Sequence, residues 1–167
     1  MVGPLSEADA AALATMNDRL KEYIDLHVKI EKELPKLPKE ATPQQIDKVQ
    51  RDFEARMRAA RSGAKPGNIF TPQATMVIKK LLANVFGGVE GRKLKADVFD
   101  ENPGEIALTV NSRYPDQVPL SNVPPQILQT LPKLTEDLEY RFIGDKMILL
   151  DAHAHIVVDF IDGAVPK

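Results

Sequence analysis

The chain has no cysteine and no tryptophan among its 167 residues. Without thiols there is no disulfide, thiolate metal site, iron–sulfur cluster or cysteine nucleophile to consider. That absence leaves the compartment open. No run of about 18 uncharged apolar residues occurs, so no membrane span is expected. An excess of one charge is missing too, with 22 Lys+Arg against 24 Asp+Glu and a formal net charge of -2. Residues 1–70 and 71–167 are each close to neutral, so no field recruits nucleic acid, which is not expected as a partner. Met1 to Ser6 carry no charged segment followed by an apolar one, so no signal peptide is expected there. The length falls short of a (β/α)₈ barrel, which takes about 250 residues, and suits a single domain.

What is present begins with helical periodicity. Leu13, Met16, Leu20, Tyr23, His27, Ile30 and Leu34 recur at alternating spacings of three and four, one face of a long helix. Ser6 suits its N-cap, and Pro35 and Pro38 end it, since proline lacks the N–H and clashes with the preceding turn. Thr42-Pro43 opens a second helix with the seam Ile46, Val49, Phe53, Met57 and Ala60. Two seamed helices on a short linker are expected to fold back as an antiparallel hairpin. Ser62 to Gly67 reads as a connector. Thr71-Pro72 starts a third helix with apolar residues Val77, Ile78, Leu81, Leu82 and Val85, stopped by Gly87-Gly88.

Beyond Gly91 the period changes to two. Residues 93–99 and 105–110 alternate as half-buried strands do, with turn residues 100–104 between them. Pro115 to Pro125 reads as a loop leading into a short helix over Pro125 to Leu131. Leu138–Ile143, Lys146–Leu150 and Ile156–Ile161 are expected to form a three-stranded meander. Its Tyr140, Phe142, Ile148, Val158 and Phe160 are expected to pack onto the helices. The fold class is therefore α+β in a single domain, 1–167. A helical hairpin arm over 1–62 and a third helix pack on a small antiparallel sheet supplied by a body over 63–167, its meander spanning 138–161.

Chemistry-bearing patterns are few. Asp151-Ala152-His153-Ala154-His155 has the D-x-H-x-H form of the first metal motif of amidohydrolases, in which two imidazoles share a strand face. That motif opens a barrel with more ligands downstream, whereas 12 residues follow His155 here, none of them His or Cys. A hairpin turn with Asp151 bonding its own backbone is the simpler reading. The alternative is a metal site of Asp151, His153 and His155, with Asp159 joining in a small metal-dependent hydrolase. His27 on the first seam reads as a partly buried, hydrogen-bonded packing residue. Arg56, Arg58, Arg61 and Lys65 read as charge near a helix C-terminus, with phosphate or RNA contact as the sharper option. The string Gly87 to Lys93 lacks phosphate-loop spacing and reads as a helix stop. Adjacent acids such as Glu136/Asp137 read as solvated turn residues.

Four further strings carry a resemblance: Gly67-Asn68-Ile69-Phe70-Thr71-Pro72, Val123-Pro124-Pro125-Gln126-Ile127-Leu128, Leu138-Glu139-Tyr140-Arg141-Phe142 and Val157-Val158-Asp159-Phe160-Ile161. In these, over about the last 105 residues, the chain resembles a group of exported bacterial proteins of the Acidobacteria type. The resemblance implies a periplasmic or secreted protein, with a signal peptide ahead of the long helix. It brings no activity, cofactor or site residue. In similar sequences the turn corresponding to 151–155 is variable, as in D-x-H-A-N, where this chain has His155.

Together these features predict a non-catalytic binding or structural module that acts through its helical arm or sheet edge. A protein partner or self-association is expected, and no cofactor.

Overall fold

The computed structural model describes residues 5–88, Lys93, 108–114 and 121–165. Helix α1 spans Glu7–Glu33, capped by Ser6, whose hydroxyl accepts the Asp9 N–H at 3.1 Å. Its buried face comprises Ala12, Leu13, Met16, Leu20, Tyr23, His27 and Ile30, the face set by heptad spacing. The chain leaves α1 at Leu34 in extended backbone, the conformation a following proline demands. Helix α2 spans Pro43–Ala60 behind a reciprocal capping box of Thr42 and Gln45. Only the second half of its seam is covered. Phe53 and Met57 are buried, whereas Ile46 and Ala60 are exposed, since α1 packs chiefly on the third helix, Pro72–Phe86, and meets α2 over a shorter length. Helix α3 spans Pro72–Phe86, capped by Thr71, with Ala74, Val77, Ile78, Leu81, Leu82 and Phe86 buried.

The sheet is antiparallel in the order β1 (Ser121–Asn122), β2 (Leu138–Ile143), β3 (Lys146–Asp151), β4 (Ile156–Ile161). The meander is present as expected, and the two-residue β1 adds an edge within what reads in sequence as loop. A short helix, α4 (Pro125–Leu128), follows β1. Residues 111–114 line the start of β4: Asn111 N–H donates to the Val157 carbonyl at 2.8 Å, and Tyr114 N–H to the His155 carbonyl at 3.0 Å. The strands expected over 93–99 and 105–110, with their turn, lie outside the described residues apart from Lys93, which is helical, and 108–110, where the chain is irregular and enters a turn. The Gly-rich string is described only at Gly87, Gly88 and Lys93.

The antiparallel helical hairpin and α3 pack on one sheet face, giving a core that runs from Met16 and Leu20 through Phe53, Phe70 and Leu82 to Tyr140, Phe142 and Val158. Each such side chain contributes roughly 1.5–3 kcal/mol through apolar burial. Ile148 and Phe160 do not join this core. They are register partners and belong to a second apolar cluster with Ile143, Leu150, Val157 and Tyr114. Residues one apart on a strand face opposite ways, so Ile148, next to the core residue Met147, turns to the other face. The pairing shifts register between Leu149 and Leu150, just before the end of β3, where the partner strand β4 carries the extra residue, Val158. That end delivers Asp151 to the helices.

Asp159 ties the sheet to the loop before α3. Its carboxylate accepts N–H groups from Gly67 at 3.1 Å, Ile69 at 2.9 Å and Phe70 at 2.8 Å, and Gly67 takes a φ of +93° to present its own. Burial raises the Asp159 carboxyl above its ordinary range, against the opposing pull of these N–H bonds.

Candidate metal centre

The buried face of α1 carries one imidazole where heptad spacing calls for an apolar side chain. His27 is 5% exposed, and Glu31 stands one turn later on the same side of the helix. Opposite them lie Asp137, in the turn before β2, and His153, in the β3–β4 turn. The Ala152 N–H donates to the Asp137 carbonyl at 2.8 Å, which joins those two turns.

His27 Nε2 lies 3.1 Å from Glu31 Oε2 and 3.4 Å from Asp137 Oδ2. His153 Nδ1 lies 3.2 Å from Glu31 Oε2 and 4.0 Å from Asp137 Oδ1. Among the described residues, these four side chains each offer a ligand atom, all within 4.8 Å of one another. A four-coordinate ion with bonds of about 2.0–2.1 Å holds tetrahedral ligand atoms about 3.3–3.4 Å apart. The observed separations bracket that value. Two imidazoles and two carboxylates suit borderline ions such as zinc, while calcium and magnesium prefer oxygen alone. Phe53 walls the site on its inner side, its ring meeting His27 edge-on at 4.9 Å and His153 at 5.0 Å. Glu31, Asp137 and His153 are each nearly half exposed, so the site opens to solvent on the other side.

Behind the four stands Asp151, fully buried. Its Oδ2 accepts from the Tyr23 hydroxyl and from His27 Nδ1, both at 2.6 Å. Its Oδ1 accepts the backbone N–H of His153 at 3.1 Å and of Ala154 at 2.8 Å. For His27, burial alone lowers the imidazole pKa. The Asp151 hydrogen bond and charge, with the charges of Asp137 and Glu31, outweigh it and hold the group above its ordinary value. Burial first, and then Asp151, keeps the Tyr23 hydroxyl protonated as a donor well beyond the usual phenol range.

The D-x-H-x-H residues separate in space. Asp151 forms the expected turn bonds and lies behind the cluster, and His153 enters it. His155 takes a φ of +63° and packs its ring 5.5 Å from Tyr114. Asp159 is held by the loop before α3. His27 is buried and hydrogen-bonded as expected, with Glu31 and Asp137 as added neighbours. Their one sequence signal is the i, i+4 pair His27/Glu31, a spacing that places two ligands on one helix face.

The three arginines of the basic run are engaged within the chain, and Lys65 is exposed. Arg56 pairs with Asp52 at 3.0 Å, and Arg58 with Glu54 at 2.6 Å. Arg61 is buried, donating to Asn111 Oδ1 at 2.6 Å and to the Val158 carbonyl at 3.1 Å, with its guanidinium over the Tyr23 ring at 4.8 Å.

No helix among the described residues is long and apolar enough to cross a membrane. Comparison with protein-family models, with curated proteins and with solved structures returned no match.

Proposed function

We propose that the protein is a non-catalytic binding module for a divalent transition-metal ion of the zinc class, held between the helical arm and the turns at one end of the sheet. The observation that carries this reading is the convergence of His27 Nε2, Glu31, Asp137 and His153 Nδ1 at ligand spacing from three separate parts of the chain. Four protein ligands complete a tetrahedral shell, as in sites that bind rather than turn over. The hydrolase alternative draws on Asp151, His153 and His155 instead.

Zinc titration followed by calorimetry and native mass spectrometry separates the two. One ion per chain is expected, with binding lost in His153→Ala and Glu31→Gln and kept in His155→Ala. Loss in His155→Ala with retention in Glu31→Gln supports the D-x-H-x-H set, and absence of binding in the wild-type protein ends both.

A second reading concerns the tip of the arm. Leu37 and Ile46 are exposed there, and Pro35, Leu37, Pro38 and Val49 line a hollow of about 640 Å³. That surface suits a protein partner or a second copy of the chain. Mass that rises with concentration, and falls back in Leu37→Asp, is the expected result. The resemblance to exported bacterial proteins supports a periplasmic or secreted location for both readings.

A further inference from the structure

We propose that Asp151, which supplies no ligand atom, is the positioning residue of the metal centre: it selects which nitrogen of His27 faces the other three ligands and sets the turn that carries His153. This role rests on the metal-binding reading above.

A carboxylate can only accept, and both Asp151 oxygens are doubly engaged. Across its 2.6 Å contact with Oδ2, His27 Nδ1 must therefore carry the proton. In the neutral ring this leaves the lone pair on Nε2, the atom that faces Glu31 and Asp137. Oδ1 meanwhile holds the His153 and Ala154 N–H groups, so the same side chain fixes the turn from which His153 reaches Glu31. One buried carboxylate thus orients two imidazoles from elements more than 120 residues apart. Carboxylates behind metal-bound histidines commonly have this effect.

Asp151→Asn keeps the shape and inverts the chemistry. The two backbone donors at Oδ1 require an oxygen there, so the amide nitrogen takes the place of Oδ2 and presents N–H to His27 Nδ1. Nδ1 must then accept, and the ring proton moves to Nε2, where it blocks the ligand atom. The Tyr23 hydroxyl can turn to accept from the same amide.

The test joins two measurements. In ¹⁵N NMR of metal-free protein, with the pH raised until the His27 ring is seen to have lost its second proton, wild-type His27 is expected as the Nδ1–H tautomer and Asp151→Asn as Nε2–H. Zinc affinity by calorimetry should fall on the order of 10–100-fold in Asp151→Asn. Tyr23→Phe leaves the acceptor in place and should keep both the tautomer and the affinity close to wild type. A wild-type Nε2–H tautomer overturns the role, as does an Asp151→Asn variant with wild-type tautomer or affinity. If Asp151→Asn does not fold, the wild-type tautomer decides, because that measurement needs no variant. Wild-type protein that takes no zinc ends the metal-binding reading and this role with it. Zinc binding that is indifferent to Asp151→Asn ends this role alone.

Discussion

His27 and Asp151 meet at 2.6 Å in the interior, although 124 residues separate them in the chain. One sits on the apolar seam of α1, the other at the end of β3, and their contact fastens the helical arm to the sheet. Metal binding at the outer edge of this contact should therefore be felt as stability.

Zinc at about 100 times its dissociation constant should stabilise the fold by about 2.7 kcal/mol. In a chain of this size, that corresponds to a rise in melting temperature of roughly 5–10 °C. Differential scanning calorimetry with zinc, and again with excess chelator, measures it. His153→Ala should melt at the same temperature in both conditions.

Acidity should act on the metal-free protein through His27. Its folded pKa lies above the ordinary 6.5, so its contribution to stability is complete below the unfolded value and is lost as pH rises through the folded value. Urea midpoints in chelator should accordingly carry a component that falls with rising pH across this range. His27→Gln should lack that component. The zinc-induced gain should run the other way, growing with pH as the ion ceases to compete with a proton.

Asp159→Ala strands the N–H groups of Gly67, Ile69 and Phe70, two of them in a buried setting. A loss of about 2–6 kcal/mol is expected, since each of the two buried donors left unsatisfied costs about 1–3 kcal/mol and the part-buried Gly67 N–H can reach water. Urea denaturation measures the loss. Zinc affinity should be unchanged, because Asp159 serves the loop before α3 and not the metal centre.

Gly67→Ala tests the backbone of that same loop. A Cβ there has room, 3.6 Å from the Phe70 carbonyl oxygen, but φ is +93°. The expected cost is about 1–2 kcal/mol from left-handed backbone alone. A neutral result in denaturation would mean that the loop can relax without losing its bonds to Asp159.

Much of the fold could be read from local signals. Ser6, Thr42 and Thr71 stand at the caps where their hydroxyls accept, and the meander begins and ends within a residue of its alternating pattern. Alternation, however, reveals that a strand has two faces without revealing which one the helices cover. Ile148 therefore lies on the face opposite the one expected, and Phe160 joins it because the extra residue Val158 in β4 breaks the alternation between them. The seam of α2 likewise showed a face but not how far its partner extends, and Ile46 is left in solvent.

The candidate site was half legible. His153 belongs to a motif whose geometry holds in a strand, where residues two apart share a side. In a turn the rule fails, and the positive φ at His155 takes that residue to Tyr114. Glu31 and Asp137 are ordinary acids in helix and turn until the fold sets them beside an imidazole.

Asp151 and Asp159, near the two ends of the last hairpin, each bind segments some 90 to 130 residues earlier in the chain. Such contacts close large loops, and their entropy must be met before the bonds form. Folding should accordingly be slow for an α+β chain of this length and limited by the docking of preformed helices on the meander. A meander made without residues 1–62 would keep its strands yet leave the buried carboxylate of Asp151 without the Tyr23 and His27 donors. The arm is thus part of the interior, since it supplies the donors that the meander's buried carboxylate requires.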